Sequence, residues 1–187
     1  MVAQRPAGSA PVVRSVAEAL PFASGRFDAA LAVLTVHHWA DQAGGLAELR
    51  RISARQVVLC FDAPVNRTHW LVTDYLPEIG DMYDRAPSPG WIAATLGGRT
   101  GTEVVTVPAD CTDGFQNAYW RRPDAYLDSD VQACISSLAM LDREVLDRGL
   151  GRLADDLATG AWHERHGHLL GLDELDYGYR LVTAVRT

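Results

Sequence analysis

The sequence predicts a single α/β domain on a mostly parallel sheet whose last strand runs antiparallel to the others. Residues 27 to 36, FDAALAVLTV, are apolar on both faces, as a strand covered by helices on both sides must be. A second buried strand, Val57 to Phe61, closes a strand-helix-strand unit of about 35 residues, the spacing of a parallel crossover. A chain of 187 residues with 48% apolar content is also long enough to bury the core of one ordinary domain.

The elements follow in order. Val12 to Val16, between Pro11 and the Leu20-Pro21 break, reads as a short strand, and Ala23-Ser24-Gly25-Arg26 as a turn. Asp41 can cap a helix running to Ile52, with Leu46, Leu49 and Ile52 on one face and Glu48, Arg50 and Arg51 looking outward. A helical insertion over about 64–98 holds a stretch from Thr68 to Tyr83, a break at Pro87-Ser88-Pro89-Gly90 and a short helix from Trp91 to Leu96. Val104 to Val107 is the fourth strand. A second helical insertion spans about 115–170, with one apolar stripe at Val131, Ile135, Leu138 and Leu141 and a later one at Val145, Leu146, Leu150, Leu153 and Leu157. Tyr177 to Val185 ends the chain as a strand expected to pair antiparallel with Val104 to Val107.

Composition excludes several function classes. The net charge is −7, and no basic run exceeds the pairs Arg50-Arg51 and Arg121-Arg122, so the footprint of a nucleic-acid binder is missing. Cys60, Cys111 and Cys134 are odd in number and widely spaced, which suggests neither a disulfide framework nor a thiolate zinc site. No run approaches the roughly 18 apolar residues of a membrane span, and MVAQRPAGSAPVV is unlike a signal peptide. A cytoplasmic protein with no membrane partner is expected.

One stretch is more specific than the rest. Ala17 to Trp39 reads AEALPFASGRFDAALAVLTVHHW, and the combination of AEALPF, G-x-F-D and a strand ending in HHW resembles the middle of a class I S-adenosylmethionine (SAM) methyltransferase of the UbiE-like, methyltransferase type 11 kind. The resemblance covers nearly the whole chain, in general plan only after Asp62. It implies a Rossmann-like sheet, SAM as cofactor and a small-molecule methyl acceptor. It also implies that Ala17, Glu18 and Phe22 lie beside the adenine and that Leu34 and Thr35 touch the methionine part.

Three departures from the family pattern are visible. Val16 stands where the family has an aspartate, and Arg51 to Gln56 lacks the Pro-Gly-Gly turn before the fifth family strand. No glycine-rich turn or ribose-binding acid precedes Ala17. Met1 to Pro6 looks like the helix after the second family strand, so the chain is expected to be N-terminally truncated. In the family order 3-2-1-4-5-7-6, loss of the first two strands would leave the Phe27 to Val36 strand with an open edge and a bare apolar face. Either Val12 to Val16 pairs there, or two chains associate through that edge as a homodimer.

In an open α/β sheet, ligands bind outside the carboxyl ends of the strands, which draws attention to the residues just past Val16, Val36 and Phe61. Adjacent histidines point in different directions, so one of His37 and His38 is expected to face the site. His38 is the candidate catalytic residue, since imidazole titrates near neutral pH and can take a proton from a methyl acceptor. Trp39, Asp62, Trp70 and Tyr75 are the candidate substrate contacts, with Tyr83 and Trp91 in the same aromatic-rich stretch. On the residues alone, Glu18 also reads as a solvated carboxylate, the histidine pair as helix caps and the aromatics as plain core. His163, His166 and His168 lack metal-site spacing and a carboxylate or thiolate partner, so no metal is expected. The alternative function is a non-catalytic, methyltransferase-derived binding or dimerisation module that no longer binds SAM. A third reading, an α/β enzyme using His38 and Asp62 without SAM, finds no G-x-S-x-G elbow or P-loop in support.

Overall fold

The computed structural model describes residues 8–186. The reading of Met1 to Pro6 as a helix falls outside them. In chain order the elements are β1 (Phe27–Val33), α1 (Gln42–Ile52), β2 (Ser53–Phe61), α2 (Ala63–Asn66), a π turn at Leu71–Tyr75, α3 (Glu78–Asp81), α4 (Pro89–Leu96), β3 (Arg99–Val104) and β4 (Val107–Pro108). After them come α5 (Ser129–Cys134), α6 (Ser136–Ala139), α7 (Arg143–Thr159), α8 (Ala161–His166), β5 (Glu174–Leu175) and β6 (Tyr179–Val185).

The main sheet has the order β1-β2-β6-β3. β1 and β2 are parallel, while β6 runs antiparallel to both β2 and β3, so the sheet is mixed with only its last strand reversed. β1 stops at Val33 rather than Val36 because Leu34 turns into the left-handed region at φ 45°, a conformation unusual for a residue with a Cβ. Asp41 does cap α1, accepting from the Gly44 N–H at 2.9 Å. α1 then runs into β2 with no loop. Buried Ser53 makes this possible: its Oγ donates to the Leu49 carbonyl at 2.7 Å, and Gln56 Nε2 donates to the Ser53 carbonyl at 2.9 Å.

The fourth strand lies earlier than expected. β3 is Arg99–Val104, mostly polar and exposed at every position, as suits an edge strand; Val107–Pro108 instead pairs with Glu174–Leu175 in a separate two-stranded ribbon. The second insertion is not one helical run but several short turns before the 17-residue α7, which buries Leu146, Leu150 and Leu153 from the later stripe.

One face of the sheet is packed. Ala30, Ala32, Val58, Cys60, Val182 and Ala184 meet Leu46, Leu49 and Ile52 of α1 and Ile92 and Leu96 of α4. On the opposite face, Leu31 lies beside Val57 and Thr183, and Val33 beside Leu59 and Leu181. Leu31 is 65% exposed and Val33 51%, in a kind of strand pair that is ordinarily covered on both faces. The outer edge of β1 has no partner strand among the described residues. Val12 to Val16 does not fill it: the segment forms no strand, and its three valines are exposed. A short segment without a neighbouring ladder gains no hydrogen bonds by extending, so its flanking breaks alone do not make it a strand.

The larger core lies beyond the strand ends, where Trp70, Trp120, Tyr126 and Trp162 pack with Leu71, Leu76, Ile135 and Leu153. Among the described residues no helix is long and apolar enough to cross a membrane.

Candidate functional site

The carboxyl ends of β1 and β2 and the start of β6 meet the helical layer around a cavity of about 520 Å³. Leu34, His37 and His38 come from the turn after β1, Phe61 and Asn66 from the end of β2 and from α2, and Tyr179 from β6. Met82, Tyr83 and Arg85 form a second side, and Phe115, Gln116, Asn117, Ile135, Ser137 and Met140 form the roof. This is where an open α/β sheet places its ligands.

Both histidines line the cavity, contrary to the expectation that only one would. Residues 36–38 form a 3₁₀ turn, not a strand, so successive side chains do not alternate across a sheet, and the two rings lie 3.9 Å apart. Burial, aided by the neighbouring His38, lowers the His37 pKa to about 4 and keeps that ring neutral. His38 is the more exposed of the two. An edge-to-face chain runs from His37 to Phe61 (5.1 Å) and from Phe61 to Tyr83 (5.3 Å).

The roof carries polar groups in an otherwise apolar setting. Asn66 Nδ2 donates to the Tyr177 carbonyl at 2.9 Å, and the Tyr179 hydroxyl donates to Asn117 Oδ1 at 2.9 Å. Gln116 Nε2 donates to the Tyr83 hydroxyl at 2.6 Å, while its carbonyl oxygen accepts from Ser137 Oγ at 2.6 Å. Gly178 fixes the approach of β6 to this end of β2. Its φ is +89°, the Asp62 N–H donates to its carbonyl at 2.7 Å, and a Cβ there would lie 2.7 Å from the Asp62 carbonyl oxygen.

The remaining candidate residues lie elsewhere. The Trp39 ring packs on Gly45, where a Cβ would collide with it, and its Nε1 donates to Thr35 Oγ1 at 3.3 Å, so both belong to the seat of α1. Asp62 engages β6 through its backbone, and its carboxylate is not part of the cavity wall. Trp70 is core, its Nε1 donating to the Trp120 carbonyl at 2.9 Å. Tyr75 points the other way, donating to Asp156 at 2.8 Å and accepting from Arg165 at 2.8 Å. His166 Nε2 is 2.8 Å from Asp74, and no group of three potential metal ligands occurs among the described residues.

Ala17, Glu18 and Phe22 sit in a loop clamped to α1. The Leu20 N–H donates to Glu48 Oε2 at 2.8 Å, and Arg51 donates to the Phe22 carbonyl at 2.6 Å and the Leu20 carbonyl at 3.0 Å. Glu48 and Arg51 therefore do not simply look outward. They pair with each other at 2.6 Å, and that bond, with the Leu20 amide, pulls the Glu48 pKa down to about 2. Glu18 accepts the Asp41 N–H at 2.9 Å, which lowers its own pKa and commits that oxygen to the start of α1. The residues at which the family resemblance would place the adenosine end of a SAM molecule are thus already engaged or lack the expected acid. No acid stands at Val16, Glu18 is engaged, and no glycine-rich turn precedes β1 among the described residues.

Comparison with known proteins points the same way. Residues 1–61 match the model of a methyltransferase-domain family, methyltransferase type 11. No curated protein sequence matches. Among solved structures, one from Anabaena variabilis ATCC 29413, named as a candidate methyltransferase from an antibiotic biosynthesis pathway, superposes with a TM-score of 0.86 at 29% identity, over 92% of this chain and 72% of that one. The [4+2]-cyclase SpnF (18% identity, 92% of this chain and 55% of that one, TM-score 0.39) and the YcgJ protein of Bacillus subtilis (15%, 92% and 69%, TM-score 0.41) are more distant. The family match and the Anabaena superposition bear out the resemblance to class I SAM-dependent methyltransferases.

Proposed function

We propose that this chain belongs to a SAM-dependent methyltransferase acting on a small molecule, and that the 520 Å³ cavity binds the methyl acceptor. The carrying observation is the cavity's position, at the carboxyl ends of β1 and β2 and directly beside Leu34, His37 and His38. The order β1-β2-β6-β3 corresponds on this reading to strands 4-5-7-6 of the family, and the left-handed Leu34 to the residue that turns the chain toward the cofactor.

SAM supplies an electrophilic methyl group when bound; the rest falls to the chain. The aromatic walls exclude water and hold a flat acceptor, and His38 takes the proton that the acceptor loses. His37, neutral and edge-on to Phe61, keeps a second positive charge away from His38.

Calorimetric titration with S-adenosylhomocysteine tests the reading. Saturable binding is expected. Absence of heat at millimolar ligand would exclude an autonomous methyltransferase and favour the non-catalytic module.

A further inference from the structure

The walls of the cavity carry a selective set of charges and hydrogen-bond groups. Among the described residues no aspartate or glutamate lines it, and its one guanidinium, Arg85, is exposed. A cationic ligand would find no counter-ion, and a carboxylate pushed inward would be buried against Phe61 and Tyr179 without one. Aromatic edges on both sides suit a planar ring.

The hydrogen-bond pattern leaves two buried donors on these walls, the Asn117 amide nitrogen, with no partner among the described residues, and the Tyr83 hydroxyl, the one that can turn its hydrogen toward a ligand. The Gln116 amide oxygen accepts from Ser137 Oγ, and its nitrogen donates to Tyr83 Oη. Tyr83 is therefore an acceptor in this chain of bonds, and its own hydroxyl hydrogen has no acceptor among the described residues. Burial raises its pKa to about 12, so it remains a phenol and a donor. Turning the amide over would transfer the unused hydrogen to Ser137, on the same wall.

We propose that the cavity takes an uncharged hydroxyaryl carbonyl compound, and that Tyr83, held by Gln116, donates its hydrogen to the carbonyl oxygen. This rests on the cavity being the methyl-acceptor site. Tyr83 fixes the ring through the carbonyl, which leaves the ring hydroxyl as the group presented toward His38.

Binding of three probes to the whole chain at pH 7 tests the assignment: 3-hydroxyacetophenone, phenol, which lacks the carbonyl, and 3-hydroxybenzoate, which replaces it with a charge. The ketone is expected to bind about tenfold tighter than either, the ratio that one hydrogen bond of about 1.4 kcal/mol provides. Tyr83→Phe should erase the preference over phenol, and Ser137→Ala should leave the preference in place. Equal binding of the ketone and the benzoate to the unaltered protein would overturn the proposal even if Tyr83→Phe failed to fold. So would a preference that survives Tyr83→Phe. The adenosylhomocysteine titration on the same sample separates this from the broader reading. Ligand heat without a ketone preference overturns only the substrate class, and a Tyr83-dependent ketone preference without ligand heat overturns only methyl transfer.

Discussion

Lowering the pH from 7 to 4 is expected to remove on the order of 3 kcal/mol of stability through His69 alone. The ring is fully buried between Trp70, Tyr126 and Tyr177, and neither nitrogen has a partner among the described residues. Burial, and then the nearby His166, push its pKa from 6.5 down to about 3. Below pH 6.5 the unfolded chain takes up a proton that the folded protein refuses. Stability therefore falls as the pH drops from about 6.5 and levels off near 3. Urea unfolding of the parent and of His69→Phe at pH 7 and pH 4 isolates the contribution, since any fixed cost of the replacement cancels in the difference between the two pH values. His37 contributes in the same direction over the window from 6.5 to about 4 and is common to both proteins. An unchanged acid loss in His69→Phe would show that the buried ring is not its source.

Gly149→Ala should destabilise the protein by about 2 kcal/mol, against the usual advantage of alanine in a helix. Gly149 lies on the buried face of α7, where a Cβ would stand 2.7 Å from the Tyr75 carbonyl oxygen and 2.8 Å from Leu76 Cγ. The carbonyl belongs to the π turn and Leu76 is fully buried, so neither can yield without moving the helix. Two residues on, Gly151 is exposed and has no atom within 4 Å of its Cβ position. Gly151→Ala should therefore stabilise by about 1 kcal/mol. In a domain of this length the pair should melt several degrees on opposite sides of the parent, at about 2–4 °C per kcal/mol. Equal shifts would mean that α7 does not pack as closely as described.

The sheet was legible where burial imposes a pattern. β1 and β2 carry the apolar runs AALAV and VVLCF, β6 alternates apolar residues with Arg180 and Thr183, and Asp41 marked the start of α1. β3 was displaced because RTGTEV is an exposed edge, where nothing but the ladder to β6 dictates side-chain polarity. Of the site, Leu34 and His38 were legible because they follow a recognisable strand. Tyr83, Gln116, Asn117 and Ser137 were not recognised as a group, because they come from separate segments and meet only through tertiary packing. The nearest local signal was FQNAYW, two adjacent amides between aromatics, a pattern that becomes informative once Gln116 and Asn117 are known to be buried. Trp70 and Tyr75 misled for the converse reason, since helically spaced aromatics serve a core as readily as a pocket.

On the proposed function, the turn after β1 is where a methyl donor meets the cavity. Ultraviolet labelling with SAM tritiated on its methyl group, followed by tryptic mapping, checks that placement. Cleavage after Arg26 and Arg50 isolates Phe27 to Arg50, which contains Leu34, His37 and His38. Label concentrated in that peptide and suppressed by excess S-adenosylhomocysteine is the predicted result. Label confined to other peptides, or no more than heat-denatured protein takes up, would contradict the account.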